Sequence, residues 1–277
     1  MPNFTEKLNI AIDKNNSLLC VGLDPVIEKM PEHLRDDPQG LLKFNKAIID
    51  ATANLVCAYK PNAAFDARYK IPGLQQLEQT IEYIKETYPD IPVILDSKRA
   101  DIGNTNEGYV GESFDWLNAD AVTVNPYLGV GALAPLFAET DKGIIVLCRT
   151  SNVESAKLQN IVDETTGLTV YETVAEDAKA QHNETKNVLL VVGATNPEDE
   201  LAKIRERVGP EMVFLVPGVG AQGGDIEKVM NAGLGDNGRG VIINSSREII
   251  FAGEGAEFAA ASLIKARETR DRINQYR

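Results

Sequence analysis

Residues 93–105 read "VILDSKRADIGNT", an apolar run that ends in Asp96, Lys98, Arg99 and Asp101, four charges within six positions. Alternate residues of a strand point to the same side, so Asp96 and Lys98 are expected on one face at the strand end, with Ser97 on the other. Taken singly, each charge reads as a solvated loop residue in a surface ion pair worth about 0–1 kcal/mol. A carboxylate and an ammonium together on an inward face are costly unless paired or used, and they read as a site. The chemistry on offer is electrostatic: an ammonium aimed at a reacting atom can oppose developing negative charge and then deliver a proton. Lys60 ends the preceding apolar run, "LVCAYKPN", and neighbouring parallel strands would bring it to Asp96. The expected array is Lys60, Asp96, Lys98, Asp101.

Eight apolar runs rich in Val, Ile and Leu recur along the chain, at 18–24, 55–62, 92–98, 121–127, 143–150, 187–195, 212–220 and 240–246. Helical spacing follows them at 39–53, 73–87, 104–117, 167–183, 197–207 and 255–274, and the segment before the first run forms an extra N-terminal helix. Continuous rather than alternating apolar strands indicate burial on both faces and hence a parallel sheet. Eight strand-helix repeats without a break in composition predict an α/β fold, a (β/α)₈ TIM barrel forming one domain over residues 1–277. Active sites in that fold gather at the C-terminal ends of the strands. Polar residues collect there: Asp24, Lys60 with Asn62, Asp96 with Lys98, Asn125, Thr150 with Ser151, and Ser245, Ser246 and Arg247. The polar segment from Ser151 to Thr166 is long for a βα loop and reads as an excursion over the barrel mouth.

Twenty-eight Lys plus Arg against forty-one Asp plus Glu give a net charge of −13, which opposes nucleic acid and anionic membrane as partners. No basic segment leading into an apolar one opens the chain, and nowhere do eighteen apolar residues run together, so a cytoplasmic protein is expected. Cys20, Cys57 and Cys148 each sit in an apolar stretch and read as reduced core residues. His33 and His182 lack the neighbours of a Ser-His-Asp or Cys-His arrangement.

The stretch "DSKRADIGNT" resembles the D-x-K-x-x-D-I-x-N-T signature of orotidine 5′-phosphate decarboxylase. "VGLDP", "YKPNAAF", "RTSN", "VPGVGAQGGD" and "SSREI" resemble the other segments of that family, in order, from about residue 18 to 250. The resemblance implies conversion of orotidine 5′-phosphate to UMP and CO₂ with no cofactor or metal. It makes Lys98 the donor that protonates the product carbanion, Asp96 the aspartate beside the substrate carboxylate and Lys60 the first lysine of the array. It also implies a homodimer in which Asp101 enters the partner's active site, and it assigns the ribose to Asp24.

An unfavourable contact at the reacting end must be offset by binding elsewhere, and the 5′-phosphate is the candidate group. The late Gly-rich segment and Arg247 follow strands seven and eight, the common phosphate position in these barrels. By the resemblance, Gln222 and Arg247 contact the phosphate with backbone help near Gly220 and Ser246, and Thr150 and Ser151 read the pyrimidine edge. Asn125 and Pro217 join the substrate-binding set at their strand ends. Asn104 and Thr105 either touch ribose or phosphate or cap the following helix. Gly103 stands where many members carry proline, and Gly220 where one branch carries arginine, a pattern similar to the longer bacterial branch. Two other readings stay open: a Mg²⁺-dependent sugar-phosphate decarboxylase on the same barrel, and a nucleotide-binding barrel without catalysis. In the metal-dependent relatives an acidic ligand ends strand two, where this chain has Lys60, and a cation there opposes a divalent metal.

Overall fold

The computed structural model describes residues 2–219 and 224–277. Each apolar run forms a strand: β1 (Leu19–Leu23), β2 (Ala58–Pro61), β3 (Ile94–Arg99), β4 (Ala121–Val124), β5 (Gly143–Arg149), β6 (Val188–Val192), β7 (Phe214–Val216) and β8 (Val241–Ser245). Both faces of β1, β4, β6 and β7 are buried along their length, which is why their sequences show no polar alternation. All pairings are parallel, in the order β2-β1-β8-β7-β6-β5-β4-β3. Two isolated bridges, Tyr59 with Val93 and Asn62 with Asp96, join β2 to β3 and bring the ring close to closure. The result is a (β/α)₈ barrel whose loosest seam runs beneath Lys60 and Asp96.

Helices wrap the barrel where the spacing predicts them. They include Phe4–Asn15, Gly40–Thr52, Lys70–Thr87, Val170–Thr185, Glu198–Val208 and Phe258–Asn274. Reciprocal caps start two of them, Asn3 with Glu6 and Thr169 with Glu172. The N-terminal helix seals the bottom: Phe4, Leu8, Ala11 and Ile12 are buried, and Lys7 meets Asp120 at 2.9 Å. Lys85 reaches the same carboxylate at 2.6 Å, so the barrel floor is tied by a structural ion cluster remote from the C-terminal ends of the strands.

Besides several short helical turns, two helical regions differ from the spacing. The segment expected at 104–117 divides into an α-helix, Thr105–Val110, and a π-helical turn, Gly111–Trp116, whose wider bonds run from Leu117 N to Glu112 O and from Ala119 N to Ser113 O. Ile226–Gly233 is an additional helix, and the glycines before it conceal its start. The Asp225 carboxylate caps it by accepting from Glu227 N at 2.9 Å.

β3 departs from regular pairing at the point where its charges gather. Leu95 pairs with Val122 and Arg99 with Val124, so Asp96, Ser97 and Lys98 together face the single residue Thr123. This bulge breaks the simple alternation expected of a strand end. Lys98 adopts φ 51°, a left-handed conformation that costs a side-chain-bearing residue about 1–2 kcal/mol. Five residues on, Gly103 has φ 54°, a conformation that proline's ring forbids.

Asp66, in the short helix Ala63–Ala67 after β2, is buried, and neither carboxylate oxygen has a side-chain hydrogen-bond partner among the described residues. Burial, and then the nearby Asp24 charge, push its carboxyl up to about 8. The folded state thus holds a proton that the unfolded chain releases above its ordinary value of 3.8. Stability from this group is full below that value and is lost as pH rises toward 8. Comparison of urea midpoints should show that Asp66→Asn gains on the wild type between pH 5 and pH 8, with a slope of at most about 1.4 kcal/mol per pH unit. Parallel pH profiles for the two proteins would refute a protonated Asp66.

Candidate active site

Asp96 ends the regular part of β3 as a buried carboxylate held from two sides. Lys60, on β2, donates to its Oδ2 at 2.8 Å, and Lys98 donates to its Oδ1. Thr123, on β4, donates to the same Oδ1 at 2.8 Å, and the Asn62 side-chain amide lies 3.5 Å from Oδ2. The alternation expected of Lys60, Asp96 and Lys98 therefore exists across two adjacent strands, β2 and β3. The two lysines differ in exposure: the Lys60 side chain is 5% accessible, whereas that of Lys98 is 47% accessible.

Charge pairing dominates the ionisation of this cluster. Burial alone would raise the Asp96 carboxyl, but the Lys60 and Lys98 ammoniums outweigh it and hold the group well below the usual carboxylate range. Burial alone would depress Lys60, yet Asp96 and Asp24 reverse that and raise it. Asp96 is thus an anion and Lys60 a cation throughout the neutral range.

Above the cluster opens a cavity of about 830 Å³, lined at its charged end by Asp24, Lys60, Asp96 and Lys98. Asn125, Thr150 and Ser151 line one side, and Pro217, Ser246 and Arg247 another. The volume falls in the range of small-molecule sites. The segment after β5 forms part of the wall through Asn152, Leu158 and Gln159, in keeping with an excursion over the mouth.

Local structure positions each group. The Ser246 hydroxyl is 2.6 Å from Asp24 Oδ2 and 3.0 Å from Gly22 O, joining β8 to β1. A side chain at position 22 would bring its Cβ within 2.8 Å of Ser246 Cβ, so this contact requires glycine. Among the described residues Asp24 Oδ1 is buried without a partner, and Asn244 Oδ1 is in the same state. Arg247 is the first residue of the turn Arg247–Ile250, and its exposed guanidinium has no partner among the described residues.

Thr150 does not cap a helix: Ser155–Gln159 begins five residues later without a side-chain cap. Gln159 instead clips it, accepting from Thr150 N at 3.0 Å and donating to its hydroxyl at 2.8 Å. Behind this loop Arg149 is buried against Glu200 at 2.7 Å and donates to Ser155 at 2.6 Å.

Asp101, Asn104 and Thr105 lie away from the cavity of their own chain. The Asp101 backbone N–H donates to Asn106 Oδ1 at 2.9 Å, and Asn104 stands at the start of Thr105–Val110 without making a side-chain cap. Within one chain the array is Lys60, Asp96, Lys98. Gly220 and Gln222 lie outside the described residues. Sequence reasoning passed over Thr123, Gln159 and Asn244. The hydroxyl of Thr123 carried a faint signal, a polar group among buried Val and Ala of "AVTVNPY".

Residues 17–262 match the family described as orotidine 5′-phosphate decarboxylase / HUMPS. The orotidine 5′-phosphate decarboxylase of Ralstonia pickettii (strain 12J) is 52% identical over 274 residues, 99% of each chain. That of Dechloromonas aromatica (strain RCB) is 51% identical, again covering 99% of each chain. Among solved structures, OMP decarboxylase of Leishmania donovani superposes with a TM-score of 0.84 and 37% identity, covering 99% of this chain and 98% of that one. UMP synthase of Leishmania donovani matches with a TM-score of 0.86 and 39% identity over all of this chain, which spans 57% of the length of that protein. Agreement of sequence from end to end, on a shared barrel, shows that this chain belongs to the orotidine 5′-phosphate decarboxylase / HUMPS family.

Proposed function

We propose that this chain decarboxylates orotidine 5′-phosphate to UMP and CO₂, the last step in making UMP, as one barrel domain over residues 1–277 acting in the cytoplasm. The observation that carries the proposal is Asp96 pinned between two ammoniums at one end of the cavity, with the Lys98 side chain half-exposed to it. The C6–carboxylate bond breaks, its electron pair stays on C6 in the plane of the ring, and no adjacent π system takes up the charge. Stabilisation must then be electrostatic. The Lys98 ammonium opposes the charge, transfers a proton to C6 and regains one from solvent.

Asp96 performs two tasks. It holds Lys98 in place, and it repels the substrate carboxylate by up to about 4 kcal/mol at ~4 Å with an effective dielectric of ~20. That repulsion vanishes as neutral CO₂ departs. Binding at the far end of the nucleotide offsets it. The unpartnered Arg247 guanidinium suits the 5′-phosphate, together with Gln222 and backbone near Gly220 and Ser246. The orphaned Asp24 Oδ1 suits a ribose hydroxyl, while Thr150 and Ser151 face the pyrimidine edge with Asn125 and Pro217 nearby. Lys60 supports this reading over a Mg²⁺-dependent sugar-phosphate decarboxylase, because a buried cation at the end of β2 opposes a divalent metal.

The active unit in this proposal is a homodimer with Asp101 completing the partner's site, alongside Asn104 and Thr105. Asp101 stands outside its own cavity, on a loop tied to the segment after β4 by the Asn106 side-chain amide, whose Nδ2 donates to Ala132 O at 2.7 Å. Exposed Ile102, Tyr127 and Leu128 flank this pair of loops and offer apolar surface for a second copy.

Absorbance assays with orotidine 5′-phosphate should show turnover that survives a chelator, and Lys98→Ala should lose about 10³-fold or more in kcat while still binding UMP. Near-normal kcat in that variant would remove Lys98 as proton donor. Lys98→Ala and Asp101→Ala should each be nearly inactive alone, and after subunit exchange the mixture should recover about a quarter of wild-type turnover. Absence of any recovery would contradict shared sites.

A further inference from the structure

We infer that Thr123 is a positioning residue for the decarboxylation, setting both the backbone of Lys98 and the carboxylate of Asp96. This rests on Lys98 being the proton donor proposed above. Three residues of β3 face Thr123 alone, so regular pairing lapses beside the amide of Lys98. That N–H donates instead to Thr123 Oγ1 at 3.1 Å. The same hydroxyl donates its own proton to Asp96 Oδ1 at 2.8 Å. Lys98 Nζ donates to that Oδ1 as well.

These bonds close a ring that begins at the Lys98 backbone, passes through Thr123 and Asp96, and returns to the Lys98 ammonium. Both ends of the lysine are therefore constrained by one hydroxyl. Thr123 is only 1% exposed, and its β-branched side chain is stiff about χ1, so the strand itself sets the direction of the hydroxyl. The ring also explains how the left-handed backbone at Lys98 persists, since surrounding contacts over-determine it. Groups proposed to bind the remote parts of the nucleotide, Asp24 and Arg247, follow β1 and β8 and share no hydrogen bond with Thr123 among the described residues.

Removing the hydroxyl should thus misdirect the ammonium without loosening the nucleotide. Thr123→Val keeps the side-chain shape and deletes both bonds, whereas Thr123→Ser retains the hydroxyl. Steady-state kinetics and UMP titration on the purified full-length protein should show kcat for Thr123→Val reduced by about 100-fold, with KM and UMP affinity within about threefold of wild type. Thr123→Ser should restore kcat to within about threefold of wild type. Unchanged kcat in Thr123→Val, beside an active wild type, would overturn this inference and leave the proposed function standing. Loss of UMP binding together with kcat would assign Thr123 to folding of the site and also overturn it. An inactive wild type would bring down the proposed function and this inference with it.

Discussion

A carboxylate shared between two ammoniums is the constraint around which the catalytic end of this barrel is organised. Burial works against the charge on both Asp96 and Lys60; the Lys60 and Lys98 ammoniums keep Asp96 ionised, and the Asp96 and Asp24 carboxylates keep Lys60 charged. Lys98 is the one member of the cluster with its side chain half open to the cavity. The buried pair thus acts as an anchor for a third, accessible cation. A buried ion pair is weak evidence for stability, so its presence here is better explained by the reaction than by the fold.

The barrel separates the two duties of its charged residues. At the N-terminal end Asp120 binds Lys7 and Lys85 and accepts from Val93 N at 2.8 Å, securing the helix that seals the floor. At the C-terminal end the charges line a cavity, and two buried polar atoms there, Asp24 Oδ1 and Asn244 Oδ1, have no partner among the described residues. Unsatisfied buried acceptors are costly in an isolated protein and become favourable when a ligand supplies donors. The open valences lie on the β1 and β8 side of the cavity, which adjoins the cluster on β2 and β3, and this suits a ligand bound beside the groups that transform it.

Much of this was legible in the sequence because burial on both faces writes a continuous apolar run, and eight such runs match eight strands. The pairing of Lys60 with Asp96 followed from strand adjacency alone. The bulge did not: three residues facing one depends on how β3 meets β4, and nothing in "ILDSKR" announces it. Thr123 was hidden for the same reason, since a threonine within a strand is first of all a β-branched strand former. Asp66 was passed over because nothing in "AAFDAR" marks it as buried; the first turn after β2 carries it into the interior. Ile226–Gly233 escaped notice because the glycines before it suggest only a loop.

A crystal structure of the full-length protein with UMP bound tests the central claim most directly. If an ammonium held by Asp96 performs the chemistry, Lys98 Nζ will stand about 3–3.5 Å from C6 of the pyrimidine, with the phosphate against Arg247. A nucleotide seated outside the cavity, or a Lys98 side chain turned to bulk water while UMP is in place, would contradict it.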